Sequence, residues 1–257
     1  MAGGDGSMAM TPHVLIVAGS DSSGGAGIVR DVETVSAFGL RSCVAVTAVT
    51  VQSHQAVARI EQMPPDLVAA QMRAALAANP VKAVKIGMLG SAPTIEAVSS
   101  VLASSLPIPV VLDPVLASTS GRPLLDANAM TSLKRKLFPL CTLVTPNLPE
   151  LALLSGLPLA IGERDILRQA GRLFDAAAPA ILVKGGHASG ESSTDLLLLP
   201  GRDPIRFDAS RIPVAMRGTG CMLASAIAAH LAQNETLENS VGKAKRHVFA
   251  KLLASIS

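Results

Sequence analysis

The 257-residue sequence has no tryptophan, no tyrosine and only five phenylalanines. Proteins that grip single-stranded nucleic acid stack bases on such rings, and almost none are available here. An excess of one charge is also missing: 22 Lys and Arg stand against 19 Asp and Glu, a formal net charge of +3. That is not the basic footprint of a DNA- or RNA-binding domain. No apolar run reaches the ~18 residues of a membrane span; the longest, such as residues 43–51, are strand-length. The three cysteines, Cys43, Cys141 and Cys221, are far apart and odd in number, with no C-x-x-C pair and no zinc spacing. This reads as a reduced, intracellular chain with the cytoplasm as its default location. Residues 1–11 are glycine-rich, lack the apolar region of a signal peptide and read as a flexible leader. Neither G-x-S-x-G nor H-E-x-x-H occurs, so hydrolase and zinc-protease chemistry find no support.

What is present is apolar: 49% of residues are hydrophobic and 16% charged, which excludes a disordered chain. Strand and helix patterns alternate from end to end. Strands are predicted at residues 13–18, 43–49, 81–86, 109–113, 142–145 and 180–184. Helices are predicted at 26–38, 65–78, 94–103, 126–138, 164–177, 219–231 and 237–254, several with Pro or Gly at their ends. Residues 195–200 and 204–208 read as an antiparallel hairpin at a sheet edge. The alternation implies an α/β fold, a mostly parallel central sheet with helices on both faces. No composition break divides residues 12–257, which are expected to form a single domain. In such sheets ligands gather beyond the carboxyl ends of the strands, where the polar and glycine-rich clusters of this chain fall.

The first cluster runs from Gly19 to Gly27, between a strand and a helix. It is not a P-loop, because Gly25 and Ala26 stand where Lys and Ser/Thr belong. It is not a dinucleotide fingerprint either, because Arg30 occupies the position of a small residue. A backbone-rich loop at a helix start remains, able to approach a small ligand closely, or simply a tight turn. The second cluster, Arg217-Gly218-Thr219-Gly220-Cys221, opens an apolar helix. Its glycines let N–H groups converge at the positive end of the helix dipole, suiting a developing phosphoryl charge. Cys221 falls in the first turn, where the dipole is expected to lower its thiol pKa; the alternative is a small buried cysteine in a tight turn.

Asp113 ends a strand before Pro114, which places its carboxylate at the sheet's carboxyl edge. Asn147 and Glu150 share one face of a helix start. Oxygen ligands of this kind suit Mg²⁺ through water and phosphate, although a helix cap with a first-turn acid has the same pattern. Lys184 follows a strand beside two glycines and can meet phosphate as a point charge. His187 is a weak candidate for a base or ligand, and His54, near a motif, has no assigned role.

Six segments occur together and in order: AGSDSSGGAGI, KIGML, VLDPV, TPNLPE, VKGGH and GTGC. With them the chain resembles the ribokinase-like superfamily, and within it the hydroxymethylpyrimidine/phosphomethylpyrimidine kinases of thiamine biosynthesis. The likeness runs from His13 to at least Ala229. It implies a three-layer ribokinase-like sandwich, and an ATP-dependent kinase acting on 4-amino-5-hydroxymethyl-2-methylpyrimidine and on its monophosphate. By the same resemblance Gln52 hydrogen-bonds the aminopyrimidine. Gly19, Asp21, Gly25 and Ala26 belong to the loop over the ring, and Met88 and Val115 are its apolar walls. Gly218, Thr219, Gly220 and Cys221 form the anion hole, with Cys221 where most of the superfamily carries Asp. Asp113 and Glu150 organise Mg²⁺ through water, while Lys184, Asn147 and Thr219 face the nucleotide. ATP and Mg²⁺ are implied, K⁺ is left open as a further cation, and the partner expected is a second copy in a homodimer.

The chain departs from the family pattern at two points. Members commonly carry His before G-T-G-C, where this chain has Arg217. They also continue past the last helix into a glycine-rich segment that has no counterpart before Ser257; if that segment helps close the nucleotide site, weaker ATP binding is expected. A pyridoxal kinase of the same fold is the nearest alternative, since pyridoxal also presents a ring hydroxymethyl group. Gln52 favours the aminopyrimidine, because an amide pairs with a ring nitrogen and its amino group at once. A non-catalytic pyrimidine-binding paralogue is the alternative from another class, and the retained Cys221, Asp113, Glu150 and Lys184 argue against it.

Overall fold

The computed structural model describes residues 11–105, 107–117, 125, 127–187, 191–214 and 216–256. The leader assigned to residues 1–11 therefore lies almost wholly outside the described residues. Among the described residues nine strands form one sheet: β1 (His13–Asp21), β2 (Arg41–Gln52), β3 (Val57–Gln62), β4 (Val81–Ile86), β5 (Val110–Leu112), β6 (Leu143–Val144), β7 (Ile181–Val183), β8 (Ser192–Leu198) and β9 (Ile205–Ser210). Their order is β3-β2-β1-β4-β5-β6-β7-β8-β9. The pairs from β2 to β7 are parallel; β3 on β2 and the β7-β8-β9 edge are antiparallel. The chain builds outward from β1 to β3, then returns to the other side of β1 with β4. This reversal opens a crevice at the carboxyl ends of β1 and β4.

The helices are α1 (Gly27–Ala37), α2 (Pro65–Ala78), α3 (Ala92–Ala103), α4 (Ala127–Ser132), α5 (Leu148–Ser155), α6 (Glu163–Asp175), α7 (Thr219–Ala232) and α8 (Leu237–Ala254). They cover both faces of the sheet, and β1 shows why its sequence reads as one apolar run. Successive strand side chains point to opposite faces. Val14 and Ile16 join a core with Val35 of α1, Ile227 of α7 and Val241 of α8. Leu15 and Val17 join the core of the other face, with Met72 of α2, Val98 of α3 and Leu151 of α5. All of these are fully buried.

Two differences from the sequence reading have local causes. β3 was not predicted; no residue of this edge strand is fully buried, so it carries little hydrophobic alternation. The helix predicted at 126–138 is interrupted, and its first residue, Asp126, lies outside the described residues. From Ala127–Ser132 the chain passes into a π turn at Leu133–Leu137 and a 3₁₀ turn at Phe138–Leu140. Pro139 lacks the N–H that a continued helix needs.

Candidate active site

The loop from β1 to α1 folds back on its own strand. Gly27 has φ of +58°, and a Cβ there would collide with the Gly19 carbonyl oxygen, so only glycine fits. The loop's polar groups are held by Asp21, whose Oδ1 accepts from the Ser23 N–H at 2.9 Å and the Ser23 hydroxyl at 2.7 Å. On the neighbouring strand the Gln52 N–H donates to Ser22 Oγ, and that hydroxyl donates to the Gln52 carbonyl, both at 2.8 Å. The β2–β3 register shifts between Val51 and Gln52, a local irregularity of the kind that re-aims a side chain near a site.

The start of α7 abuts this loop. Gly218, at φ of +75°, packs so closely on the Gly25 carbonyl that a side chain is excluded. The first bond within the helix runs from the Met222 N–H to the Gly218 carbonyl, 2.8 Å. The N–H groups of Thr219, Gly220 and Cys221 therefore have no acceptor in the helix, and no side chain caps them. Three donors at a helix N-terminus form an anion site. Cys221 is half-buried and lines the same cavity. The lowered thiol pKa expected from the sequence is not what this environment produces: burial outweighs the opposing Lys85 charge and pushes the thiol up to about 11.

Arg217 ties the two loops together. It donates to Ser23 Oγ at 2.9 Å, to the Ser53 carbonyl at 3.2 Å and to Asp21 Oδ2 at 3.1 Å, and it lies 3.5 Å from His54 Nδ1. The two residues without a clear role in the sequence, Arg217 and His54, thus meet at the cavity's rim.

On the other side, Lys184 Nζ lies 2.7 Å from Asp113 Oδ1 and 3.7 Å from Glu150 Oε2. Thr145 also donates to Asp113, at 3.3 Å. Burial alone would raise Asp113, but Lys184 and then Lys85 reverse this and hold it below the usual carboxylate range. Glu150 moves the opposite way, raised by burial against the pull of Lys184. Asn147 and Glu150 form a reciprocal capping box at the start of α5 with two 2.8 Å bonds. The Asn147 side chain is therefore engaged as a cap, as the alternative reading of that motif had it.

One cavity of about 610 Å³ is lined by nearly every site residue expected from the sequence. Gly19, Asp21, Ala26, Gln52, Met88 and Val115 line it, together with Asp113, Asn147, Glu150 and Lys184, and Gly218 through Cys221. Gly25 is set behind this wall, its carbonyl against Gly218. The side chain of His187 lies outside the described residues. Sequence reasoning passed over Lys85, a fully buried residue that also lines the cavity. The signal was there: a lysine inside a strand whose neighbours Val84 and Ile86 are core residues.

A sheet of this order, with an uncapped glycine-rich helix start beside a buried lysine–carboxylate cluster, defines a small-molecule kinase of the ribokinase-like fold. The chain belongs to the phosphomethylpyrimidine kinase family, whose model matches residues 21–257. It is 42% identical over 247 residues to the hydroxymethylpyrimidine/phosphomethylpyrimidine kinase of Rhizobium meliloti, covering 96% of this chain and 92% of that protein. Among solved structures, the phosphomethylpyrimidine kinase of Clostridium difficile superposes with a TM-score of 0.79 at 32% identity, covering 94% and 99% of the two chains. The pyridoxal kinase of Staphylococcus aureus in complex with ADP does so with 0.84 at 30% identity, covering 93% and 86%.

Proposed function

We propose that this protein is the ATP-dependent kinase that phosphorylates 4-amino-5-hydroxymethyl-2-methylpyrimidine and its monophosphate in thiamine biosynthesis. The observation that carries the reading is a single cavity holding Gln52, the free helix start at Thr219–Cys221 and the Lys184 cluster. Gln52 offers an amide to the aminopyrimidine edge, and Met88 and Val115 flank the ring. The three N–H groups of α7 and the Lys184 ammonium surround the transferring phosphoryl group. Because the transition state of that transfer is loose, positioning and charge stabilisation supply most of the rate. Cys221 accepts the proton of the acceptor hydroxyl.

Among the described residues no three His, Cys, Asp or Glu side chains cluster as a metal cage. Two carboxylates beside a lysine still fit Mg²⁺, which keeps several waters and binds substrate phosphates. Asp113 and Glu150 would hold it, and when bound it would neutralise phosphate charge. Among the described residues no helix is long and apolar enough to cross a membrane. Val49 and Val51 of β2 are 46% and 57% exposed, apolar surface that a second copy in a homodimer would cover.

The likeness to a pyridoxal kinase supports a second reading within the same chemistry. A thermal-shift titration separates the two. The pyrimidine alcohol, with and without magnesium-ATP, is expected to raise the unfolding temperature at lower concentration than pyridoxal does. Stabilisation by pyridoxal alone would overturn the pyrimidine reading.

A further inference from the structure

Under the anion site lies an ion pair that the reaction described above does not use. Lys85 Nζ is 2.7 Å from Asp31 Oδ2, and neither side chain has any exposed surface. Ser225 donates to the other oxygen of Asp31 at 2.8 Å. A buried ion pair is weak evidence for stability, since apolar residues of like volume often serve a fold as well. Its placement is more informative. Ser225 is one helical turn after Cys221 on α7, and Asp31 is one turn after Gly27 on α1, so each pair shares a face. The two faces meet: Asp31 takes the Ser225 hydroxyl, and Gly27 and Cys221 line the same cavity one turn further up. Lys85 enters from β4 below, its ammonium so close under Gly87 that a Cβ there would stand 3.0 Å away.

We propose that Lys85 is a positioning residue for phosphoryl transfer: pinned by Asp31 and Ser225 beneath the start of α7, its ammonium stabilises the Cys221 thiolate that takes the acceptor proton. The inference rests on the kinase reading and assigns that site's base its counter-charge. In the step, the oxygen of the hydroxymethyl group bonds the γ-phosphorus while its O–H proton passes to the sulfur. The bond from that phosphorus to the bridging oxygen breaks, and its electron pair leaves on ADP. The sulfur begins as thiolate, ends as thiol and returns the proton to solvent. Lys85 stays protonated throughout, because Asp31, Cys221 and Asp113 together outweigh the effect of burial and raise it above the ordinary lysine range.

Lys85 from β4, Asp113 beyond β5 and Cys221 line one cavity, Asp31 of α1 lies 2.7 Å from Lys85, and all three charges act on the sulfur. Lys85 favours its ionised form and the two carboxylates oppose it, with Lys85 the strongest of the three. Lys85 is thus the cation that opposes the effect of burial on this thiol, and without it the thiolate would be rarer still.

The test is alkylation of Cys221 by iodoacetamide in the full chain without nucleotide, read by mass spectrometry of the Cys221 peptide so that Cys43 and Cys141 do not interfere. Lys85→Met removes the charge and strands Asp31. Lys85→Met with Asp31→Asn leaves an uncharged pair, and is read where the single variant does not fold. Below the thiol pKa the alkylation rate follows the thiolate fraction, so one unit of pKa is about a tenfold change. Alkylation at least about tenfold slower than in the unaltered protein, with kcat for the pyrimidine alcohol reduced and KM little changed, is the result expected. A folded variant that alkylates at the original rate overturns the inference. Kinase turnover with Lys85-independent alkylation refutes this inference alone. Lys85-dependent alkylation without any pyrimidine turnover refutes the kinase reading alone.

Discussion

Lys184 Nζ lies 2.7 Å from Asp113 Oδ1 although 71 residues of chain separate them. The parallel sheet makes the meeting: Asp113 follows β5, Lys184 follows β7, and β6 is the single strand between them. Glu150 completes the cluster from the start of α5. Burial raises both carboxylates and the lysine lowers both; the lysine prevails at Asp113, 2.7 Å away, and burial at Glu150, 3.7 Å away. Divergent carboxylates of this kind mark sites where charge is handled during a reaction.

Removing Lys184 should therefore cost both stability and activity. Lys184→Met leaves Asp113 buried without its cation, a loss of about 3–5 kcal/mol for a broken buried pair. Urea unfolding is expected to show that loss, and phosphoryl transfer to fall with it. Unchanged stability would mean that solvent reaches Asp113 more freely than its burial implies.

Cys221→Ala should reduce turnover by about 10²-fold or more, the range for loss of a general base. The helix start is backbone and stays in place, so ATP affinity measured by titration should change little. A near-original rate would make the thiol a packing residue.

The thiol also sets the direction of the pH profile. Burial lifts Cys221 to about 11, so near neutrality the base is mostly protonated and inactive. Each unit of pH toward that value raises the thiolate fraction about tenfold. The rate of the chemical step is expected to climb with pH above neutrality in rapid-quench measurements and to lose that slope in Cys221→Ala. A profile already flat at neutral pH would place the proton elsewhere.

Where the sequence was informative, the signal was local. The glycines at 19–27 and 218–220, Asp113 before Pro114 and Lys184 before Gly185 each mark a strand end or helix start, and the parallel sheet brings all of these to one edge. What escaped depends on contacts across the chain. Edge strand β3 has too little burial to show a pattern. The Lys85–Asp31–Ser225 cluster joins three distant elements that each read as core. The partners of Arg217 come from two other loops, which no spacing within its own segment reveals. The thiol of Cys221 shows the same limit: the dipole of its own helix was visible in the sequence, and the enclosure that outweighs it was not.

Gly218 tests how closely the two loops must meet. Gly218→Ala puts a side chain at a left-handed position, at about 1–2 kcal/mol, and drives it into the Gly25 carbonyl. Turnover is expected to fall further than thermal stability, because the collision displaces the donors of the anion site. Equal activity would show that the loops part without consequence.

Gln52→Ala should weaken binding of the pyrimidine alcohol while leaving ATP binding largely intact, as calorimetric titration of each ligand would report. Equal losses for both would remove Gln52 from ring recognition.

The most direct measurement is ADP release by the purified protein, coupled to a spectrophotometric readout, with the pyrimidine alcohol, its monophosphate and pyridoxal side by side. Release with both pyrimidine compounds, at a higher kcat/KM for the alcohol than for pyridoxal, is the expected result. Release with pyridoxal alone, or with none of the three, would contradict it.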